Sequence, residues 1–307
     1  MRKIIGIGET ILDIIFQNNQ PYAAVPGGSV FNGLVSLGRL GNEVLFISEL
    51  GKDQVGGLIQ SFMEENHIST QYIDFFPDGK SPISLAFLDE EQNAHYTFYK
   101  SFPNRRLDVP FPPIDEDDIF IMGSYFCVDP VLRKRVREFV EYATERRAII
   151  YYDPNFRKAH VHEAIHLLPT VLENFEFADI IRGSDEDFEN LFQENQVDKV
   201  YQEHVQFYCK NFLMTHGGQG VDLRTERVKA HYDAPEIPLV STIGAGDNFN
   251  AGVLYGLLKY NIRKKDLNTL TEIQWQKIIR CGLDLSSEVC QHMDNYISRD
   301  FAKNYQL

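Results

Sequence analysis

Residues 241–250 read STIGAGDNFN, a run of small side chains that leads into a carboxylate, Asp247. Gly244, Ala245 and Gly246 form a turn without side-chain obstruction, so successive backbone N–H groups can converge, and the helix expected to follow adds the positive end of its dipole. Such a turn collects anions. An acid at its mouth repels those anions unless it serves a hydroxyl group whose proton leaves as the hydroxyl attacks phosphorus. Asp247 therefore reads as a general base. A simpler reading stands beside it: an acid in the first turn of a helix gains ~0.3–1 kcal/mol from the dipole alone.

Outward from this stretch, short apolar runs alternate with amphipathic patterns. Lys3 to Gly8, Val44 to Ser48, Asp118 to Met122, Ala148 to Asp153, Asp179 to Arg182 and Asn211 to Thr215 read as buried strands. Between them, Val55, Leu58, Ile59, Phe62 and Met63 recur at helical spacing, as do Leu132, Val136, Phe139, Val140 and Ala143. The pattern predicts an α/β fold with a doubly wound, mostly parallel sheet flanked by helices. Two strand-like segments, about 11–25 and 81–100, break the alternation. They are expected to pair into a small discontinuous β-sheet, a lid that excludes water from a transferring phosphoryl group. No repeat or polar linker divides the 307 residues, so a single domain over 1–307 is expected, with the lid inserted in it.

A second glycine-rich segment, Gly27 to Asn32, precedes a helix expected over Gly33 to Leu40. Its glycines allow close backbone approach, and the Asn32 amide both donates to and accepts from hydroxyl groups, as polyol recognition requires. A plain loop with a helix cap would look the same. Taken together, GIGETILD, PGGSVFNGLVSLGRLG, YYDPNFR, THGGQG and STIGAGDNFNAG occur in the order and spacing of the ribokinase-like (pfkB) carbohydrate kinases. The chain resembles that family from about residue 3 to 258. The GE…D opening, SLAFLDE followed by YTFYK, the pair Gly123 and Ser124, and DPNxR are most similar to the fructokinase branch.

The resemblance implies roles residue by residue. Asp247 matches the catalytic base, and Gly244, Ala245 and Gly246 match the anion hole. Asp13, Gly28 and Asn32, with Gly27 beside them, fall on sugar-binding positions, and Arg157 falls where fructokinase-like members place a cation close to the site. Thr215, Gly217 and Gly220 match a TxGxxG loop around the nucleotide, and Asn155 a position near the phosphates. Ser184 to Asp187 stands for the family's NxxE element, with Asp187 holding a hydrated Mg²⁺ through water. ATP and Mg²⁺ are thus the implied cofactors. Ser241 and Thr242 replace an Asp-Thr whose aspartate helps to hold a monovalent cation, which argues against activation by K⁺. Cys281 to Cys290 lacks the family's alanine-rich pattern, so adenine-side assignments end at Gly220.

A formal charge of −14 repels nucleic acid and acidic membranes, and neither is an expected partner. The four cysteines show no metal-type spacing and read as reduced thiols of a cytoplasmic protein. At the start of the chain, Glu9 and Asp13 interrupt the apolar run too early for a secretion signal, so retention is expected. No stretch approaches the roughly 20 apolar residues of a membrane span.

The expected reaction is transfer of the γ-phosphoryl group of ATP to the primary hydroxyl of a ketohexose, with fructose first. Family members acting on ribose, 2-keto-3-deoxygluconate or a nucleoside would keep every motif and change the lid, where Tyr96, Phe98, Tyr99 and Lys100 are candidates for choosing the acceptor. A phosphorylated sugar would call on Lys100, Arg105 and Arg106. Two further alternatives are a sugar-sensing homologue without turnover and a nicotinamide oxidoreductase. Against the latter, Ile11 occupies the place of the third glycine of GxGxxG. A homodimer through the lids is implied by the resemblance alone.

Overall fold

The computed structural model describes residues 2–88, 94–103 and 106–305. Strands β1 (Ile4–Ile7), β4 (Val44–Gly51), β9 (Ile119–Gly123), β10 (Ile149–Asp153), β11 (Ile180–Ser184) and β12 (Phe212–Thr215) are the predicted apolar runs, and every neighbouring pair among them is parallel. The short strands β5 (Ile68–Ser69) and β6 (Ile73–Phe76) add to β4, while β13 (Val221–Arg224) and β14 (Lys229–Tyr232) extend the far edge antiparallel. The resulting order is β14–β13–β12–β11–β10–β9–β1–β4–β5, with β6 also on β4.

Side chains on each central strand alternate between two buried layers, as the period of a strand dictates. Ile4, Ile119, Ile121, Ile149 and Tyr151 join one layer; Ile5, Phe120, Met122, Ile150 and Tyr152 join the other. Helices α1 (Ser29–Arg39), α2 (Gln54–Glu65), α7 (Ala245–Lys259), α8 (Glu272–Cys290) and α9 (Arg299–Tyr305) contribute to the first layer. Helices α3 (Arg133–Glu145), α4 (Ala164–Phe177), α5 (Asp185–Phe192) and α6 (Val197–Val200) contribute to the second. The expected doubly wound α/β architecture is therefore present.

The second sheet is also present. Strands β2 (Ile11–Gln17), β3 (Gln20–Gly27), β7 (Lys80–Leu88) and β8 (Ala94–Ser101) pair in the order β3–β2–β7–β8. Each hairpin is antiparallel, and β2 runs parallel to β7, which joins the two segments that are distant in sequence. The β2–β3 turn places Asn18 and Asn19 at φ 52° and 58°, the left-handed pair that a two-residue hairpin with matching twist requires. The polar turn between β7 and β8 and Arg105 lie outside the described residues. At the base of β7, the Ser81 backbone N–H and hydroxyl both donate to Asp53, at 3.0 and 2.7 Å, and Asp53 also caps α2.

One expectation is corrected. Helix α1 begins at Ser29, not Gly33, because Gly28 at φ 142° turns the chain sharply and the next residues are already helical. Asn32 therefore lies in the first turn of a helix, not in a loop.

Candidate active site

Because the central strands are parallel, the residues that end them gather along one edge, the side on which open α/β sheets collect ligands. Asp153 ends β10, Ser184 ends β11 and Thr215 ends β12. The N-terminus of α7 is brought to the same edge through Arg182. That guanidinium lies 3.0 Å from where a side chain on Gly246 would begin, so a larger residue there would have to push it aside.

Gly244 precedes α7 in the left-handed region, at φ 77°, Ala245 and Gly246 form the first helical positions, and the Ala245 N–H donates to the Thr242 carbonyl oxygen at 3.2 Å. Asp247 follows, 9% exposed. Asn32 Nδ2 donates to its Oδ2 at 2.8 Å, which joins the first turns of α1 and α7. Burial pushes the Asp247 carboxyl up to about 6, opposed by the Asn32 hydrogen bond and the positive charge of Arg157. It is still ionised at neutral pH. The Asn32 carbonyl oxygen is buried with no partner among the described residues, leaving an acceptor beside the acid. Arg157 is exposed and acts on Asp247 through its field.

A second carboxylate, Asp13 on β2, accepts from the Ser84 hydroxyl on β7. Burial raises it to about 6, partly opposed by Ser84. A side chain on Gly27 would begin 2.7 Å from the Asp13 carboxylate. A side chain on Gly28 would run into the Glu9 carbonyl oxygen. These glycines thus hold the strand carrying Asp13 against the start of α1.

The nucleotide-side residues converge less directly. The Asn155 backbone N–H donates to Asp153 Oδ1 at 3.0 Å, with Asn155 at φ 40°. Thr215 accepts at 2.6 Å from Arg182 Nη2, while Arg182 Nη1 donates to Asp153 Oδ2 at 2.9 Å. Burial disfavours the Arg182 charge, but Asp153, Tyr151 and Asp187 more than offset it. Gly217, at φ 54°, and Gly220, at φ 104°, shape the turn after Thr215. Ser184 and Asp187 form a reciprocal cap on α5: the Ser184 backbone N–H and hydroxyl both donate to Asp187 Oδ2 at 2.7 Å. Burial, then the neighbouring Asp153, raises the Asp187 carboxyl. No group of His, Cys, Asp and Glu among the described residues forms a metal cage. Asp187, with its Oδ2 taken by Ser184, could meet a cation only through the cation's own waters. Ser241 spends its hydroxyl on the turn, accepting from the Ile243 N–H at 3.2 Å.

Sequence reasoning missed the centre of this cluster. In sequence Asp153 reads only as the end of a strand, and Arg182 and Asn250 belong to no assigned role, yet Asn250 Nδ2 donates to Asp153 at 2.6 Å and Tyr151 donates to Asn250 at 2.9 Å. The available signal was an arginine inside an apolar strand, which demands a partner when buried.

Comparison with known proteins bears on this arrangement. The model of the pfkB family carbohydrate kinases matches residues 1–300. A probable chloroplastic fructokinase-6 of Arabidopsis thaliana is 25% identical over 268 residues, covering 82% of this chain and 69% of its own. The crystal structure of a fructokinase double mutant from Vibrio cholerae O395, with fructose, ADP and potassium ion bound, superposes with a TM-score of 0.82 at 20% identity, over 96% of this chain and 94% of that one. An aminoimidazole riboside kinase from Salmonella enterica, complexed with aminoimidazole riboside and an ATP analogue, gives 0.79 at 21% identity over 99% of both chains.

Proposed function

This chain belongs to the pfkB family of carbohydrate kinases, and from that premise we propose that it transfers the γ-phosphoryl group of ATP to the primary hydroxyl of a ketohexose, forming fructose 6-phosphate from fructose. The observation that carries this reading is Asp247: a buried carboxylate, ionised at neutral pH, in the first turn of a glycine-opened helix and fixed by Asn32. In the reaction, O6 of the sugar bonds to the γ-phosphorus as the bond from that phosphorus to the bridging oxygen breaks, and ADP leaves with the electron pair. Asp247 takes the O6 proton. At the turn of Gly244, Ala245 and Gly246, where the Ala245 N–H also donates to the Thr242 carbonyl oxygen at 3.2 Å, the positive end of α7 and the Arg182 charge behind it face the charge on the transferring group.

Asp13 accepts from sugar hydroxyls on the small-sheet side, with Gly27, Gly28 and Asn32 shaping that approach and Arg157 adding positive potential. Thr215, Gly217 and Gly220 line the nucleotide loop, and Asn155 and Ser184 stand near the phosphates. Mg²⁺, held through water by Asp187, would neutralise phosphate charge when bound. Ser241, already engaged by the turn, supports independence from K⁺.

A coupled ADP-release screen over fructose, ribose, glucose, mannose, 2-keto-3-deoxygluconate, adenosine and aminoimidazole riboside tests the reading. Fructose is expected to give the highest kcat/KM, and a protein that releases no more ADP with any of these acceptors than without one would overturn the proposal. The riboside is included because a riboside kinase is similar in fold. The four free, buried cysteines support a cytoplasmic setting, and no described helix is long and apolar enough to cross a membrane. A second copy of the chain is the proposed protein partner, docking on the small sheet, where Tyr22 and Tyr99 are more than half exposed. A monomeric mass in sedimentation would exclude it.

A further inference from the structure

The turn that follows β12 is closed by its own backbone. The His216 N–H donates to the Gly220 carbonyl oxygen at 2.9 Å, the Gln219 N–H to that of His216 at 3.1 Å, and the Gly220 N–H to that of Gly217 at 3.1 Å. A side chain added to Gly217 or Gly218 would meet nothing within 4 Å, so the outer face of the turn is open to a ligand. At its base, a side chain on Gly220 would run into the Tyr232 carbonyl oxygen, which seats the turn on β14. The pairing of β12 with β11 ends where Thr215 faces Ser184. Beyond that point no strand ladder among the described residues ties the turn to α5, the helix that carries Asp187.

A side chain makes that tie. The His216 ring, 15% exposed, presents Nδ1 to Asp185 Oδ2 on α5 at 3.3 Å and Nε2 to Asp222 Oδ2 on β13 at 3.0 Å. Carboxylates only accept, and a neutral imidazole has one donor and one lone pair, so both contacts become hydrogen bonds when both ring nitrogens carry protons. Charge-assisted bonds of this kind are the stronger ones. Asp222 is itself fixed: Arg224 Nη1 donates to its Oδ1 at 3.1 Å, and His231 Nδ1 lies 3.4 Å from the same oxygen. The other nitrogen of His231, Nε2, stands 3.0 Å from the Gln219 carbonyl oxygen. Side chains of α5, β13 and β14 thus hold the turn at both ends, at His216 and at Gln219.

We infer that His216 is a positioning residue for the nucleotide: by joining Asp185 to Asp222 it sets where the turn of Gly217 to Gly220 stands relative to α5, and it does so without touching the transferring group. The inference rests on the kinase reading above and gives the nucleotide loop an anchor that its glycines do not supply. Asp13 and Asn32, on the acceptor side, belong to other elements, β2 and α1. A displaced turn loses nucleotide binding equally before and during transfer, so KM for ATP rises while kcat is largely kept.

The test measures kcat, KM for ATP and KM for the acceptor by coupled ADP release, and ADP affinity by calorimetry without acceptor, in the wild type, His216→Ala, His216→Arg and Asp185→Ala. His216→Ala is expected to raise KM for ATP and Kd for ADP by about fivefold or more, with kcat within about threefold and KM for the acceptor within about twofold. His216→Arg, a permanent cation that donates in two directions, should recover most of the loss. Asp185 is half-exposed, so Asp185→Ala keeps the inference testable if His216→Ala does not fold. It also separates position from charge. Removing an acid near bound phosphates would by charge alone tighten ATP, whereas loss of the bridge weakens it, by about threefold or more. The inference is overturned if Asp185→Ala leaves KM for ATP unchanged or lowers it, if folded His216→Ala leaves ADP affinity within about twofold, or if His216→Arg binds ADP no better than His216→Ala. A wild type that binds neither ATP nor ADP refutes the kinase reading itself. Binding without acceptor-dependent release refutes only the acceptor half of that reading, and the ADP affinities still decide the role of His216.

Discussion

Replacing Asp247 by Asn should produce a protein that is at once far slower and more stable. Asparagine matches the carboxylate in shape, and its carbonyl oxygen still accepts from Asn32, so the contact between α1 and α7 survives. It cannot take a proton from the acceptor hydroxyl, and kcat is expected to fall by about 10²–10⁴ with sugar affinity retained. The stability change follows from burial. An acid whose folded-state value stands near 6 instead of 3.8 binds its proton more tightly in the folded protein than in the unfolded chain. Below 3.8 it is protonated in both states and costs nothing. Above 6 it is ionised in both, and the folded state bears the full penalty, about 3 kcal/mol. Asp247→Asn removes that penalty, so urea unfolding at pH 8 should show a gain approaching this value, shrinking as the pH falls from 6 towards 3.8. Turnover by coupled ADP release is the second measurement. Turnover within tenfold of wild type, or a variant less stable than wild type at pH 8, would refute the placement of Asp247 as a buried ionised base.

Because Asp13 and Asp247 both titrate near 6 and act as acceptors only when ionised, wild-type kcat/KM should rise from pH 5 to 7 and then level off; a flat profile contradicts this. Asp13→Asn should raise KM for the sugar at least tenfold with a smaller effect on kcat, measured in the same assay, because it weakens charge-assisted bonds to hydroxyl groups. Arg182→Met should cost about 3–5 kcal/mol in urea unfolding by stranding the buried Asp153. Adding Asp153→Asn should restore most of that stability without restoring turnover, and a double variant with normal kcat would remove Arg182 from the phosphoryl site.

The main sheet was legible because its strands are buried on both faces and read as uninterrupted apolar runs such as IIGI and IFIMG. The small sheet was legible as strand-like segments outside the helical alternation, but its order depends on β2 meeting β7 across sixty-odd residues, which no local pattern encodes. Strands β13 and β14 went unread, each being only four residues long and carrying Arg224 or Lys229. The start of α1 was misread because glycine followed by apolar residues carries no helix signal, and only the backbone angle of Gly28 shows where the turn ends. Asp247 and the glycines before it announce themselves in sequence. The Asp153–Arg182–Thr215–Asn250 cluster does not, since its members come from four separate elements and each alone has an ordinary explanation.

The hairpins carrying Asp13 and Ser84 interrupt the chain at two separate points, one after β1 and one after β6, whereas Asp247, Arg182 and Asp153 belong to the helix and strands of the main body. On the proposed reading, part of the acceptor site therefore sits on inserts that are separable from the phosphoryl site. Grafting both hairpins together, with the Ser81–Asp53 clasp kept at the base of the second, would move acceptor preference between relatives while leaving the engine untouched.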